Sequence, residues 1–127
     1  MSEKKYILVI DDEIDVLKLV EFLLWGTEYE LLKASDAQLG LRLVEEFNPM
    51  VVITDIMMPH MDGFTVLARL KTIHPNIRVI IFTARSTRSD QKKAEDMGAH
   101  GFIAKPFNRQ QLLTAIEKAL NSVPTNG

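Results

Sequence analysis

Apolar residues along this chain fall into short unbroken runs separated by longer mixed segments. The runs are "KYILVIDD", "EYELLKA", "MVVITD", "IRVIIFTA" and "GFIAK", rich in Val, Ile, Phe and Tyr and of strand length. Between and after them lie segments 13–25, 36–47, 63–73, 89–97 and 109–121, most with apolar residues spaced by three and four, which predicts helices. The order is strand then helix, five times over. Such alternation predicts an α/β domain: parallel strands joined by right-handed crossovers, with helices on both faces of one sheet. The first, third and fourth runs are apolar almost throughout and read as central strands covered on both sides. The second, with Glu30 and Lys33, and the short fifth read as edges.

Punctuation residues agree. Ser35 with Gln38, and Asn108 with Gln111, match the capping box at a helix start. Asn48-Pro49 and His74-Pro75 close the second and third helices, and Gly98 suits the left-handed position just past the fourth. The last residues, "SVPTNG", read as a tail or linker stub, which predicts a single domain over 1–121 and a separate segment 122–127.

Composition narrows the class. The 127 residues are enough for one core, burying about two thirds of the surface of the unfolded chain. Fifteen basic against seventeen acidic residues leave a net charge of -2, which offers no general attraction to nucleic acid. Without cysteine there is neither a disulfide framework nor a thiolate metal site. The apolar run near the start is too short for a signal peptide core, and no stretch reaches the length of a membrane span. The expected location is the cytoplasm.

In an open parallel sheet, ligands bind at the carboxyl ends of the strands, near the point where strand order reverses. The residues predicted there are Asp11, Asp12 and Glu13 after the first strand, Asp55 after the third, Thr83 and Ala84 after the fourth, and Lys105 and Pro106 after the fifth. Carboxylates crowded on one rim repel unless a cation is present. Mg²⁺ resolves the conflict, because it takes oxygen ligands and is commonly held by one or two carboxylates plus phosphate oxygens. The Thr83 hydroxyl, the backbone N–H after it and the Lys105 ammonium remain as donors for an incoming phosphoryl group.

With "DDE" at 11–13, "DIMMPHMDG" at 55–63, "TA" at 83–84 and "KPF" at 105–107 in this order on strand ends, the chain resembles the receiver domain of a two-component response regulator, similar to the chemotaxis response regulator. The resemblance covers residues 4–121. It implies a flavodoxin-like doubly wound sheet of order 2-1-3-4-5. It implies that Asp55 accepts a phosphoryl group from the phosphohistidine of a sensor histidine kinase or phosphotransfer protein. Asp12, Asp55 and the Met57 backbone carbonyl are then expected to bind Mg²⁺ directly, and Asp11 through water. Thr83, the Ala84 backbone and Lys105 would contact the phosphoryl oxygens, and the Lys105-Pro106 bond would be cis. Thr83 and Phe102 would act as the switch, reshaping the face formed by the fourth helix, fifth strand and fifth helix, where phosphorylated members also form homodimers. Phe102 stands where Tyr is common in the family, so an outward hydroxyl contact is lost. Met57 and Arg85 occupy positions that tune phosphoryl lifetime, and exposed Phe22 suggests a kinase-docking contact. The domain is expected to be a switch that catalyses only its own phosphorylation and dephosphorylation, with no nucleic acid or membrane contact of its own.

Rival readings lose on particular residues. Aspartate-nucleophile phosphatases of the haloacid dehalogenase type resemble a pattern with a second Asp two positions after the nucleophile, and here Met57 stands there. A nucleotide-binding doubly wound domain needs a glycine-rich loop after the first strand, where this chain has "DDE". His60, His74 and His100 fall away from the predicted strand ends, and Met57, Met58 and Met61 suit packing better than metal binding. A stand-alone regulator and a receiver cut from a longer protein both fit.

Overall fold

A computed structural model describes residues 4–121. The elements alternate as β1 (Lys5–Ile10), α1 (Ile14–Leu23), β2 (Tyr29–Ala34), α2 (Ala37–Phe47), β3 (Val51–Asp55), α3 (Gly63–Ile73), β4 (Arg78–Thr83), α4 (Arg88–Asp96), β5 (Gly101–Ala104) and α5 (Arg109–Asn121). The strands form one parallel sheet of order β2-β1-β3-β4-β5. The expected central strands are central and the expected edges lie outermost. The tail at 122–127 falls outside the described residues.

Alternation along the central strands feeds two separate cores. Leu8, Ile10, Val52, Val79 and Ile81 pack against α2, α3 and α4, with Val44, Leu67, Leu70 and Ala94 supplied by those helices. Ile7, Val9, Ile53, Ile80 and Phe82 point the other way, onto Leu17 and Val20 of α1 and Leu112 and Ile116 of α5. Most of these side chains are wholly buried, and each such Ile, Leu or Val contributes about 1.5–3 kcal/mol of transfer free energy. Continuous apolar runs are thus what a strand buried on both faces requires.

Helix ends follow local chemistry, with one departure from expectation. Asn108 and Gln111 exchange hydrogen bonds, each backbone N–H donating to the other's side chain, so the capping box at α5 is present. At α2, however, the cap is Asp36 and not Ser35: Asp36 Oδ1 accepts from Leu39 N at 2.8 Å. Ser35 and Asp36 are both good caps, and β2 ends at Ala34, which leaves one more linker residue than the Ser35 register allows. α1 is shorter than predicted. Gly98, at φ 95°, follows α4 in the left-handed region.

At the β3–α3 connection backbone packs directly on backbone. Gly63 N donates to the Ile56 carbonyl at 2.9 Å, and a Cβ on Gly63 would stand 2.8 Å from Ile56 Cα and run into the Asp55 carbonyl oxygen. Only glycine lets the start of α3 lie directly on the backbone that follows Asp55.

Candidate functional site

Strand order reverses between β1 and β3, since the chain leaves β1 toward β2 on one side and returns to build β3, β4 and β5 on the other. Asp11 follows β1 and Asp55 ends β3, so both stand at that reversal, nearly or wholly buried. Each is held in the same way. Asp11 Oδ1 accepts from Glu13 N at 2.8 Å and Asp55 Oδ1 accepts from Met57 N at 3.0 Å. These are turns in which an Asp side chain binds the backbone two residues on. The second oxygen of each, Oδ2, accepts from Lys105 Nζ at 2.7 Å.

Lys105 reaches between the two acids because the β4–β5 pairing continues past the strand end, Lys105 N donating to the Thr83 carbonyl at 2.9 Å. Its ammonium also stands 4.8 Å from the Phe82 ring centre, a cation–π contact. Burial by itself would depress this ammonium, but the hydrogen bonds to Asp11 and Asp55 and their charges outweigh it, so the group is raised above its ordinary 10.5 and stays charged. Asp11 is raised above 3.8, first by burial and also by the Asp55 charge, against the lowering by Lys105. The two directions pull differently on one ion pair. The ammonium stays charged because it has two acceptors at 2.7 Å, and Asp11 is raised because one ammonium only partly compensates the burial of two acids.

Asp11, Glu13 and Asp55 each bring a carboxylate oxygen within 4.8 Å of the others. This all-oxygen donor set fits Mg²⁺. Glu13 was not singled out as a ligand from the sequence, whereas Asp12, which was, is exposed and lies outside this trio. Of the acids at 11–13, the first and third are the ones whose carboxylates gather with Asp55.

Thr83 is buried, and its Oγ1 accepts from Arg85 N at 3.2 Å. Ala84 is exposed beside it. Phe102 is half-buried, packed against the core on the α2–α3–α4 side, and lines a groove of about 560 Å³ between α4 and α5. Lys105-Pro106 is cis. None of the three histidines belongs to the acidic cluster.

The family model of the response regulator receiver domain matches residues 7–117. The chain belongs to the response regulator receiver domain family. Among its relatives, sporulation initiation phosphotransferase F of Bacillus subtilis is 33% identical over 120 residues, covering 94% of this chain and 95% of that one. A probable transcriptional regulator of Porphyridium aerugineum is 33% identical over 121 residues, 95% of this chain but 50% of that protein. The receiver thus spans about half or less of the length of several curated relatives. A response regulator receiver domain protein from Clostridium thermocellum superposes with a TM-score of 0.86 at 39% identity, covering 92% of this chain and 94% of that one. The CheX-CheY-BeF3-Mg²⁺ complex from Borrelia burgdorferi gives 0.87 at 26%, covering 93% and 90%. The fold is CheY-like and flavodoxin-like, as expected, and the domain is one of two-component signalling. Among the described residues no helix is long and apolar enough to cross a membrane.

Proposed function

We propose that this receiver accepts a phosphoryl group on Asp55 from a phosphohistidine of a sensor histidine kinase or a phosphotransfer protein. An Asp55 carboxylate oxygen forms the new O–P bond as the P–N bond to the donor imidazole breaks, leaving an acyl phosphate. The observation that carries this reading is the Lys105 ammonium bound between Asp11 and Asp55. It compensates the acids before transfer and is placed to bind a phosphoryl oxygen afterwards. The proposed Mg²⁺ set is Asp11, Asp12, Asp55 and the Met57 carbonyl, with Glu13 joining it beside Asp11. When bound, Mg²⁺ supplies charge neutralisation for the phosphoryl oxygens. The Thr83 hydroxyl and the Ala84 N–H supply further donors, and Met57 and Arg85 tune how long the acyl phosphate lasts.

The output follows from Thr83 and Phe102. Movement of the Thr83 hydroxyl toward the phosphoryl group changes the space open to Phe102 and so the shape of the α4–β5–α5 face, through which partners, or a second copy, are engaged. The chain acts as a cytoplasmic switch and not as an enzyme on other substrates. Two relatives support the reading: one is named a phosphotransferase, and the Borrelia protein was crystallised with BeF3 and Mg²⁺.

Incubation with acetyl phosphate and Mg²⁺, followed by intact mass, tests it. A gain of one phosphoryl group, lost in Asp55→Asn and without Mg²⁺, is the expected result. No gain by a folded protein would make the domain a receiver-shaped binding module.

A further inference from the structure

Arg85, two residues past Thr83, is clasped. Its Nε donates to Asp90 Oδ2 at 2.8 Å and its Nη2 to Asp90 Oδ1 at 3.3 Å. This two-point bond ties the loop after β4 to the first turn of α4. The carboxylate is well covered, the Asp90 side chain being 13% exposed, whereas that of Arg85 is 51% exposed. Asp90 is not needed to start the helix, because Thr87 is the cap and its Oγ1 accepts from Asp90 N at 3.1 Å. Its strongest partner is Arg85, with the Thr87 side chain and the Lys93 charge adding to the hold on the carboxylate.

The clasp borders the acceptor site on two counts. The Arg85 N–H binds the Thr83 hydroxyl, so the hydroxyl and the clasp belong to one tight turn. Arg85 and Asp90 also line a cleft of about 530 Å³, together with Asp62, Lys93 and Ile56, Met57 and Met58, the residues that follow Asp55. A guanidinium in that position can bind an oxyanion bidentately, and a doubly charged phosphoryl group is a stronger partner for it than a single carboxylate.

We propose that Asp90 is a positioning residue that holds the Arg85 guanidinium in reserve, and that a phosphoryl group on Asp55 draws it away. Release of Asp90 frees the first turn of α4 from the loop after β4, so arrival of the anion and loosening of this helix become one event. The proposal rests on Asp55 being the acceptor.

The test follows phosphoryl gain from acetyl phosphate with Mg²⁺, and its loss after donor removal, by intact mass in wild type, Asp90→Asn, Asp90→Glu, Arg85→Gln and the Arg85→Gln/Asp90→Asn double variant. Asp90→Asn should speed gain and slow loss by about two- to fivefold, the scale on which exposed ion pairs act. Asp90→Glu, which keeps a carboxylate, should return both rates toward wild type, and Asp90→Asn should have no effect once Arg85 is Gln. If wild type is phosphorylated but Asp90→Asn matches it, or acts equally with and without Arg85, the clasp has no such role and the acceptor reading stands. If wild type takes no phosphoryl group, both fail together.

Discussion

Two buried carboxylates share one ammonium, and this decides what a change at Lys105 would do. Removing the side chain leaves Asp11 and Asp55 each without the donor at Oδ2, while Glu13 N and Met57 N still bind Oδ1. Lys105→Met should cost the metal-free protein about 1–3 kcal/mol, the range for a buried acceptor left unsatisfied. Because the lost charge is what a divalent cation replaces, added Mg²⁺ should recover more stability in the variant than in wild type. Urea denaturation with and without Mg²⁺ measures both. An equal Mg²⁺ effect in the two proteins would mean that the acidic trio and Lys105 are not electrostatically coupled.

Elements carry a second kind of dependence, on pH. His100, between α4 and β5, has its ring pushed below the ordinary 6.5 by burial, and further by Lys71 of α3 and Arg78 of β4. Its Nδ1 is the acceptor for Val79 N at 3.5 Å, a long bond that needs the neutral ring. Below about pH 6.5 the unfolded chain takes up a proton that the folded one resists, so stability falls with pH until the lowered folded value is passed. His100→Asn keeps an acceptor without the titration. It should therefore lose less stability than wild type between about pH 7.5 and about pH 5.5 in urea melts, and an unchanged slope would assign the acid sensitivity elsewhere. Strand and helix order were legible because buried strands leave unbroken apolar runs and surface helices leave spacings of three and four. The rim acids, Thr83 and Lys105 were legible because they punctuate those runs. Less was visible where a side chain chooses among neighbours: Asp36 over Ser35 as a cap, Glu13 joining Asp11 and Asp55 in one acidic trio, and Asp90 as the partner of Arg85. In each case the partner is selected by how elements pack in three dimensions, and residue type leaves several candidates equal.

For the whole molecule, the acidic cluster and the exposed aromatic side chains belong to different elements. The acids collect at one end of the sheet, whereas the most exposed aromatic side chains, Phe22 at 74% and Trp25 at 78%, lie on and just past α1. Arg109 Nη1 donates to the Trp25 carbonyl at 3.3 Å, tying this corner to α5. Phe22 contributes to neither core cluster, so Phe22→Ala should leave the urea midpoint and phosphorylation by acetyl phosphate unchanged while slowing transfer from a kinase. Loss of both reactions together would place Phe22 in the fold and not in docking. Lys105 adds a constraint in time. It follows Asp55 by 50 residues, a stretch that takes roughly 3–10 s to synthesise at about 5–20 residues per second. Throughout that interval the nascent chain carries Asp11 and Asp55 with no ammonium to join them. The last-made strand delivers the charge that joins the two acids, so the Asp11–Lys105–Asp55 cluster can form only after all five strands have been synthesised.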